Sequence, residues 1–503
     1  MSRDDVDRRV LRLLFWESTI RCNLRCAHCR RIETDQTASS DLTTEQAEQM
    51  IDQLAFLGRE QHFMPILVFS GGEPLCRNDI FGLIRYAADQ QIKCALATNG
   101  TLITPAIAKQ IKTSGTQRVS VSLDGATSDI HNKLRKLNGS FEAALAGIDC
   151  LRLQSIPFQI NMTVTRQNRH QLDAIFQLAQ KLGAAAVHLF MLVPVGCGET
   201  LTDEDMLSPE EYEQVLIQTA HRAASDSLEV KVTCGPHYER VIREQKTLDS
   251  AKPHNSSKGC LAGLGVLFVS HRGEVQPCGY LPVQCGTILR KPLREIWTDS
   301  EELATLRDTK ALKGKCGICG YREVCGGCRA RAFAATGDYM TQEPTCSYTP
   351  PALTLDELDV KILKELQDGF PLEKNPYSIV AGNLHIGVDE LWRRVSKLLN
   401  SGAIRRMGFS IDSSKIGYAS TLAAIRVDAG QIQKSADVIS KYPQVTHSYL
   451  RGGDFNIWFT VIAENPEQVG WIVEQIRLEL NLPASAVLNV PVEKLFKLDA
   501  RFM

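Results

Sequence analysis

Cys22, Cys26 and Cys29 stand as C-x3-C-x2-C immediately behind a β-rich run at 11–17, and few folds can use such a trio. Three thiolates on one short loop can cap one face of an iron–sulfur cubane and leave its fourth iron without protein sulfur. A zinc knuckle is the competing use, and its fourth ligand would have to come from His28 or elsewhere. The chain has 16 cysteines, and none lies beyond Cys346. Eleven fall in patterned or plausible ligand positions. The other five, Cys76, Cys94, Cys150, Cys197 and Cys285, are scattered and read as small buried apolar residues.

The 503 residues are 44% hydrophobic and 23% charged, with a formal net charge of -1, an ordinary globular mix of two to four domains. No basic excess exists to neutralise phosphates, so nucleic acid is not an expected partner. No apolar run is long enough to span a bilayer, and no membrane partner is expected. The charged start, Met1-Ser2-Arg3-Asp4-Asp5, lacks the apolar core of a signal peptide, so the expected location is cytoplasmic. In that reducing compartment clustered cysteines read as metal ligands rather than disulfides.

Six β-rich runs, at 11–17, 66–70, 94–98, 118–123, 158–165 and 187–193, alternate with amphipathic runs. Between the first two, Ala47, Met50, Ile51, Leu54 and Leu57 recur at helical spacing behind Thr43 or Thr44 as cap. Six β-α units predict an α/β fold with a parallel sheet, a partial barrel with its site at the C-terminal strand ends; a doubly wound sheet is the alternative. Residues 254–348 are dense in glycine and cysteine and lack the apolar mass for a core of their own, so a metal should hold them. Thr349-Pro350-Pro351-Ala352 is a stiff linker. Beyond it, three helical stretches precede a β-α-β-β-α-β order, the ferredoxin-like unit. The expected domains are 1–245, 246–348, 349–411 and 412–503.

Ser70-Gly71-Gly72-Glu73-Pro74 follows the second strand, Thr98-Asn99-Gly100 the third, and Ser122-Leu123-Asp124-Gly125 the fourth. The glycines let backbone approach a ligand closely, and Glu73 or backbone carbonyls can accept from a cationic amine. With the cysteine trio, this pattern resembles the radical SAM superfamily. The resemblance implies that the open iron of a 4Fe-4S cluster chelates S-adenosyl-L-methionine (SAM). It implies a SAM site of Gly71, Gly72, Glu73, Pro74, Asn99, Ser122, Asp124 and Arg135, with Asn161 and Thr163 on the fifth strand. Ser122 and Arg135 would meet the carboxylate. His28 stands where the superfamily usually has an aromatic residue against adenine, and its flat ring can still stack. Reductive cleavage of SAM calls for an electron donor such as a ferredoxin or flavodoxin.

Downstream, Cys260, Cys278, Cys316, Cys319, Cys325, Cys328 and Cys346 resemble the SPASM extension, which carries one or two auxiliary 4Fe-4S clusters. The analogy puts Cys316, Cys319, Cys325 and Cys346 on one cluster, and Cys260, Cys278, Cys328 with Cys234 on the other. Zinc is again the alternative. Phe15-Trp16-Glu17-Ser18-Thr19, residues 192–196, Thr233-Cys234-Gly235-Pro236-His237-Tyr238 and Cys325-Gly326-Gly327-Cys328-Arg329-Ala330-Arg331-Ala332 look like the radical SAM heme b synthases of the siroheme-dependent pathway. That family turns two propionates of iron-coproporphyrin III into vinyl groups, which implies an iron-porphyrin substrate. Arg329 and Arg331 are candidate propionate anchors, with solvated surface as their plainer reading. Two alternatives are removal of acetate side chains from didecarboxysiroheme, or a related heme d1 step, and peptide modification combined with a DNA-binding regulatory tail.

Residues 355–503 resemble siroheme decarboxylase subunits, which share the Lrp/AsnC fold. The resemblance implies a catalytic set of His447, Tyr449 and Arg451, with Arg405 and Arg406 behind, and pairing as a homodimer or with a decarboxylase partner subunit. A His with nearby Arg supplies an acid and anion anchors. The candidate recognition helix at 389–399 sets Asp389 and Glu390 against Arg393, Arg394 and Lys397, a weak balance for DNA.

Overall fold

The computed structural model describes residues 10–31, 40–201, 205–225, 228–245, 258–350, 355–400, 403–404, 407 and 413–491. The chain forms two compact units, residues 1–354 with 393–404, and residues 355–392 with 405–503.

In the first unit, strands β1 (Leu13–Glu17), β2 (Ile66–Ser70), β3 (Lys93–Thr98), β4 (Thr116–Ser122), β5 (Phe158–Val164) and β6 (Ala186–Met191) pair in parallel, each with its neighbour in sequence. The chain therefore winds in one direction, which excludes the doubly wound alternative and leaves the partial barrel. A seventh strand, β7 (Glu229–Thr233), extends it beside β6 and delivers the chain to Cys234. On the other side of β1 lie β8 (Val266–Val269), again parallel, then antiparallel β9 (Glu274–Gln276) and β10 (Gly286–Thr287). The 10-stranded order is β10-β9-β8-β1-β2-β3-β4-β5-β6-β7.

The helix Thr44–Glu60 begins at a capping box in which the Thr43 hydroxyl accepts from the Gln46 amide, and its buried face is the predicted one. It joins Trp16, Phe69 and the inner strand residues in one core. Leu293, Ile296, Trp297, Leu303 and Leu306 belong to that same core. The cysteine-rich segment thus does not rely on metal alone. It borrows the barrel's core through β8 and the short helices Leu293–Asp299 and Glu301–Arg307.

Beyond the linker, helices Glu357–Asp368, Pro376–Asn383 and Val388–Asn400 occupy the predicted helical stretches, the last with its residues from 393 onward counted in the first unit. β11 (Ala419–Ile425), β12 (Val445–Leu450), β13 (Ile457–Ala463) and β14 (Val487–Pro491) follow, all antiparallel in the order β12-β13-β11-β14. That is the ferredoxin-like arrangement, with helices Ile432–Ser440 and Pro466–Glu479 in its two crossovers. Ile425, Phe459, Val461, Ile472 and Ile476 form its core. No helix among the described residues is long and apolar enough to cross a membrane.

Candidate functional site

The loop that leaves β1 carries the cysteine trio, and the turn after β2 holds it. The amides of Gly72 and Glu73 donate to the carbonyls of Thr19 and Arg21, both at 2.8 Å. A Cβ at Gly72 would lie 2.2 Å from the Arg21 carbonyl, and one at Gly71, φ +151°, 2.7 Å from that of Thr19. The glycines therefore serve a close approach of the chain's own backbone, not only of a ligand. Glu73 is fully buried and accepts from Thr98 Oγ1 (2.7 Å), the Asn99 amide (2.8 Å) and the Leu75 amide (3.2 Å). Burial outweighs these donors and lifts its carboxyl to about 6. Asn99 in turn donates through Nδ2 to Asn23 in the cysteine loop, at 2.8 Å.

Asp124, at the end of β4, is buried and meets Arg135 Nε at 2.7 Å, His28 Nε2 at 3.3 Å and the Thr163 amide at 2.9 Å. Arg135 also reaches Cys26 Sγ, at 3.7 Å. Burial pushes the Asp124 carboxyl up, but Arg135 prevails and holds it low; burial keeps His28 neutral. So Arg135, expected as a carboxylate anchor, is bound to Asp124 and Cys26, and His28 turns toward Asp124. Ser122 and Asn161 are register neighbours on β4 and β5. Asn161 accepts from Gln159, at 3.0 Å.

A second ion pair lies behind the trio. Arg30 meets buried Glu17 at 2.7 Å, and Glu17 meets His271 Nδ1 at 2.7 Å. Arg30 also lies over the Phe268 ring of β8, 4.4 Å from its centroid. The cysteine loop is thereby tied to the segment with the downstream cysteines.

Of those cysteines, Cys316, Cys319, Cys325 and Cys346 line one recess, and Cys234, Cys260 and Cys278 lie near Cys328. Cys234 donates to Cys328, and Cys260 and Cys278 feel the Cys328 charge. Cys316 acts likewise on Cys319, Cys325 and Cys346. Among the described residues no three His, Cys, Asp or Glu side chains are close enough to share one metal ion. The donors have a common local shape. The amide two residues on donates to sulfur at Cys22, Cys319 and Cys325, each at 3.4 Å. Burial pushes the Cys22 thiol up to about 11 and that of Cys278 to about 12, so a bound cation is what would deprotonate them. Buried, amide-supported sulfurs of this kind fit iron–sulfur clusters.

Arg329 and Arg331 are neither propionate anchors nor surface. Arg329 is buried and donates to the carbonyls of Tyr339 (2.9 Å) and Thr341 (2.6 Å). Arg331, 2% exposed, pairs with Glu343 at 2.8 Å and donates to Leu192 O, Tyr212 Oη and Cys234 O. Glu343, whose role its sequence context did not signal, accepts from the Cys328 amide (2.7 Å) and sends its own amide to Cys316 Sγ (3.4 Å). It links the two quartets.

In the second unit His447, Tyr449 and Arg451 share one face at and just beyond β12, the edge strand. The His447 and Tyr449 rings stack with centroids 6.2 Å apart, and Arg451 lies 5.9 Å from the Tyr449 and Trp458 centroids. All three are exposed. Arg405 and Arg406 lie outside the described residues.

Residues 16–179 match the Radical SAM superfamily, 260–329 the SPASM iron–sulfur cluster-binding domain, 359–405 the siroheme decarboxylase NirDL-like HTH domain and 415–497 the AsnC-like ligand binding domain. The chain is 47% identical over 346 residues to an AdoMet-dependent heme synthase of Methanosarcina barkeri, covering 67% of this chain and 97% of that one. It is 30% identical over 372 residues to a pre-heme d1 synthase of Dinoroseobacter shibae, covering 69% and 90%. Among solved structures, Streptococcus suis SuiB bound to its precursor peptide SuiA shares the fold at 15% identity, with a TM-score of 0.56 over 69% of this chain and 78% of that one.

Proposed function

Because this chain belongs to the AdoMet-dependent heme synthase family of radical SAM proteins, we propose that it converts two propionates of iron-coproporphyrin III to vinyl groups, giving heme b. The reading rests on one observation: the three-thiol loop that follows β1 lies inside the Radical SAM match of a chain that is 47% identical to the Methanosarcina enzyme over 97% of that protein's length. Cys22, Cys26 and Cys29 hold the SAM-binding 4Fe-4S cluster, and the two quartets hold auxiliary ones. When bound, these groups supply the electron that cleaves SAM to an adenosyl radical and an acceptor for the electron the substrate gives up. A hydrogen atom leaves the substrate carbon β to the carboxylate. The bond to CO2 then breaks, one electron departs, and the C=C bond forms.

The protein's own residues set the geometry for this. Arg135 neutralises charge beside Cys26 and is itself fixed by Asp124. Glu73 shapes the 71–74 turn rather than meeting the methionyl amine, since its oxygens already have donors, which leaves backbone carbonyls for that task. Ser122, Asn161 and Thr163 line the rim where SAM would lie. The electron donor is a ferredoxin or flavodoxin type of protein.

The tail's match to the siroheme decarboxylase HTH domain supports a second activity. His447 would protonate the ring-attached carbon as an acetate leaves as CO2, with Arg451 holding a carboxylate and the exposed sheet face open to a pairing subunit. An anaerobic assay with iron-coproporphyrin III, SAM and reductant tests the main reading. Sequential loss of two CO2 with 5'-deoxyadenosine release is the expected result. 5'-Deoxyadenosine without porphyrin change would refute it, and product from didecarboxysiroheme instead would favour the acetate-removing relatives.

A further inference from the structure

His237 opens the helix His237–Gln245 and is 1% exposed. It lines a small recess whose walls include Cys316, Cys319, Cys325 and Cys346, with Lys315 beside them. Both its ring nitrogens are buried, and neither has a hydrogen-bond partner. Its ring is held edge-on to Tyr212, centroids 5.2 Å apart, and the Tyr212 hydroxyl is itself fixed on the Cys234 carbonyl at 3.0 Å. An imidazole always carries at least one N–H, and a buried N–H without an acceptor is a cost that folded proteins seldom keep. Here the acceptor has to come from whatever occupies the recess.

We propose that His237 belongs to the auxiliary site of the Cys316, Cys319, Cys325 and Cys346 quartet, donating a ring N–H to a sulfur of the cluster and raising its reduction potential. The proposal rests on the reading of that quartet as a cluster site. The quartet already supplies four thiolates, so the imidazole is a donor to sulfur and not a fifth ligand. A hydrogen bond to cluster sulfur stabilises the reduced, more negative state, and this shifts the potential upward. Among the described residues no other histidine lines the recess.

The test uses the full chain, reconstituted anaerobically, with Cys22, Cys26 and Cys29 all changed to alanine so that only auxiliary clusters contribute. The signal of interest is the one lost in Cys319→Ser. His237→Phe should hold the same iron and sulfide yet show a more negative midpoint in an EPR-monitored titration, and His237→Gln, which keeps an N–H, should stay near the parent. Histidine labelled with 15N should show coupling to the reduced cluster in the parent chain, a readout that needs no His237 variant. Full iron with an unchanged midpoint in His237→Phe, or no histidine coupling in the parent, overturns the proposal while the cluster reading stands. Zinc alone on these cysteines in the parent overturns both.

Discussion

Buried charge decides most at the level of single residues. Arg331 and Glu343 are both almost wholly inside, and each neutralises the other while satisfying backbone groups around the quartets. Removing one partner of such a pair strands the other and costs about 3–5 kcal/mol. Arg331→Met should therefore lower the urea midpoint sharply, and Arg331→Met with Glu343→Leu should recover much of the loss; equal midpoints for the single variant and the parent would refute this. Glu17 gives a pH signature. Burial pushes its carboxyl up, but Arg30 and the His271 hydrogen bond more than reverse that and hold it at about 2. A folded value below the ordinary 4.5 makes the ionised form stabilising above that pH, by about 3 kcal/mol, and this is lost as pH falls toward 2. Stability of the metal-free chain should drop between pH 4.5 and 2 more steeply than that of Glu17→Gln. These roles were legible in sequence only as residue types. Arg331 reads as an anion anchor because nothing nearby in the chain announces Leu192, Tyr212 or Glu343 as its partners, and the contacts that consume it are long-range.

Elements were easier to read wherever one period persisted. The helix Thr44–Glu60 shows its apolar stripe and cap openly, and Thr43→Ala should cost about 1 kcal/mol through loss of the bond to the Gln46 amide, measured by thermal melting. β7 is not legible in the sequence because Glu-Val-Lys-Val-Thr alternates too briefly, with Lys231 between its valines, and its pairing with β6 comes only from the sheet. The segment 258–350 mixes both cases. Its cysteine spacing is plain in the sequence, but its independence of metal is not, since Trp297 and Leu303 are anchored in the barrel core by long-range contacts. Chelation should therefore split its behaviour. Amides around Cys316, Cys319 and Cys325 should exchange with deuterium far faster in metal-free protein, while those of β8 and the helix Leu293–Asp299 keep most of their protection. Uniform loss across 258–350 would mean that the metal holds the whole segment after all.

At the scale of the whole molecule, two units with separate cores share one chain, and the chemistry proposed for each is different. The radical half requires reduced iron and SAM. The tail's proposed chemistry requires only a proton and anion anchors, because loss of CO2 with protonation is redox-neutral. The two activities should therefore dissociate completely under variation. Cys26→Ser should abolish 5'-deoxyadenosine formation and leave CO2 loss from siroheme intact, even in air. His447→Ala should lower siroheme turnover by 10²-fold or more, within the range of a lost general acid, and leave SAM cleavage unchanged. A His447→Ala chain that retains full siroheme turnover would place the acid elsewhere, and a chain with no siroheme turnover at all would mean that the tail binds rather than converts. If both activities fell together in either variant, the units would be coupled in a way that their separate cores give no reason to expect.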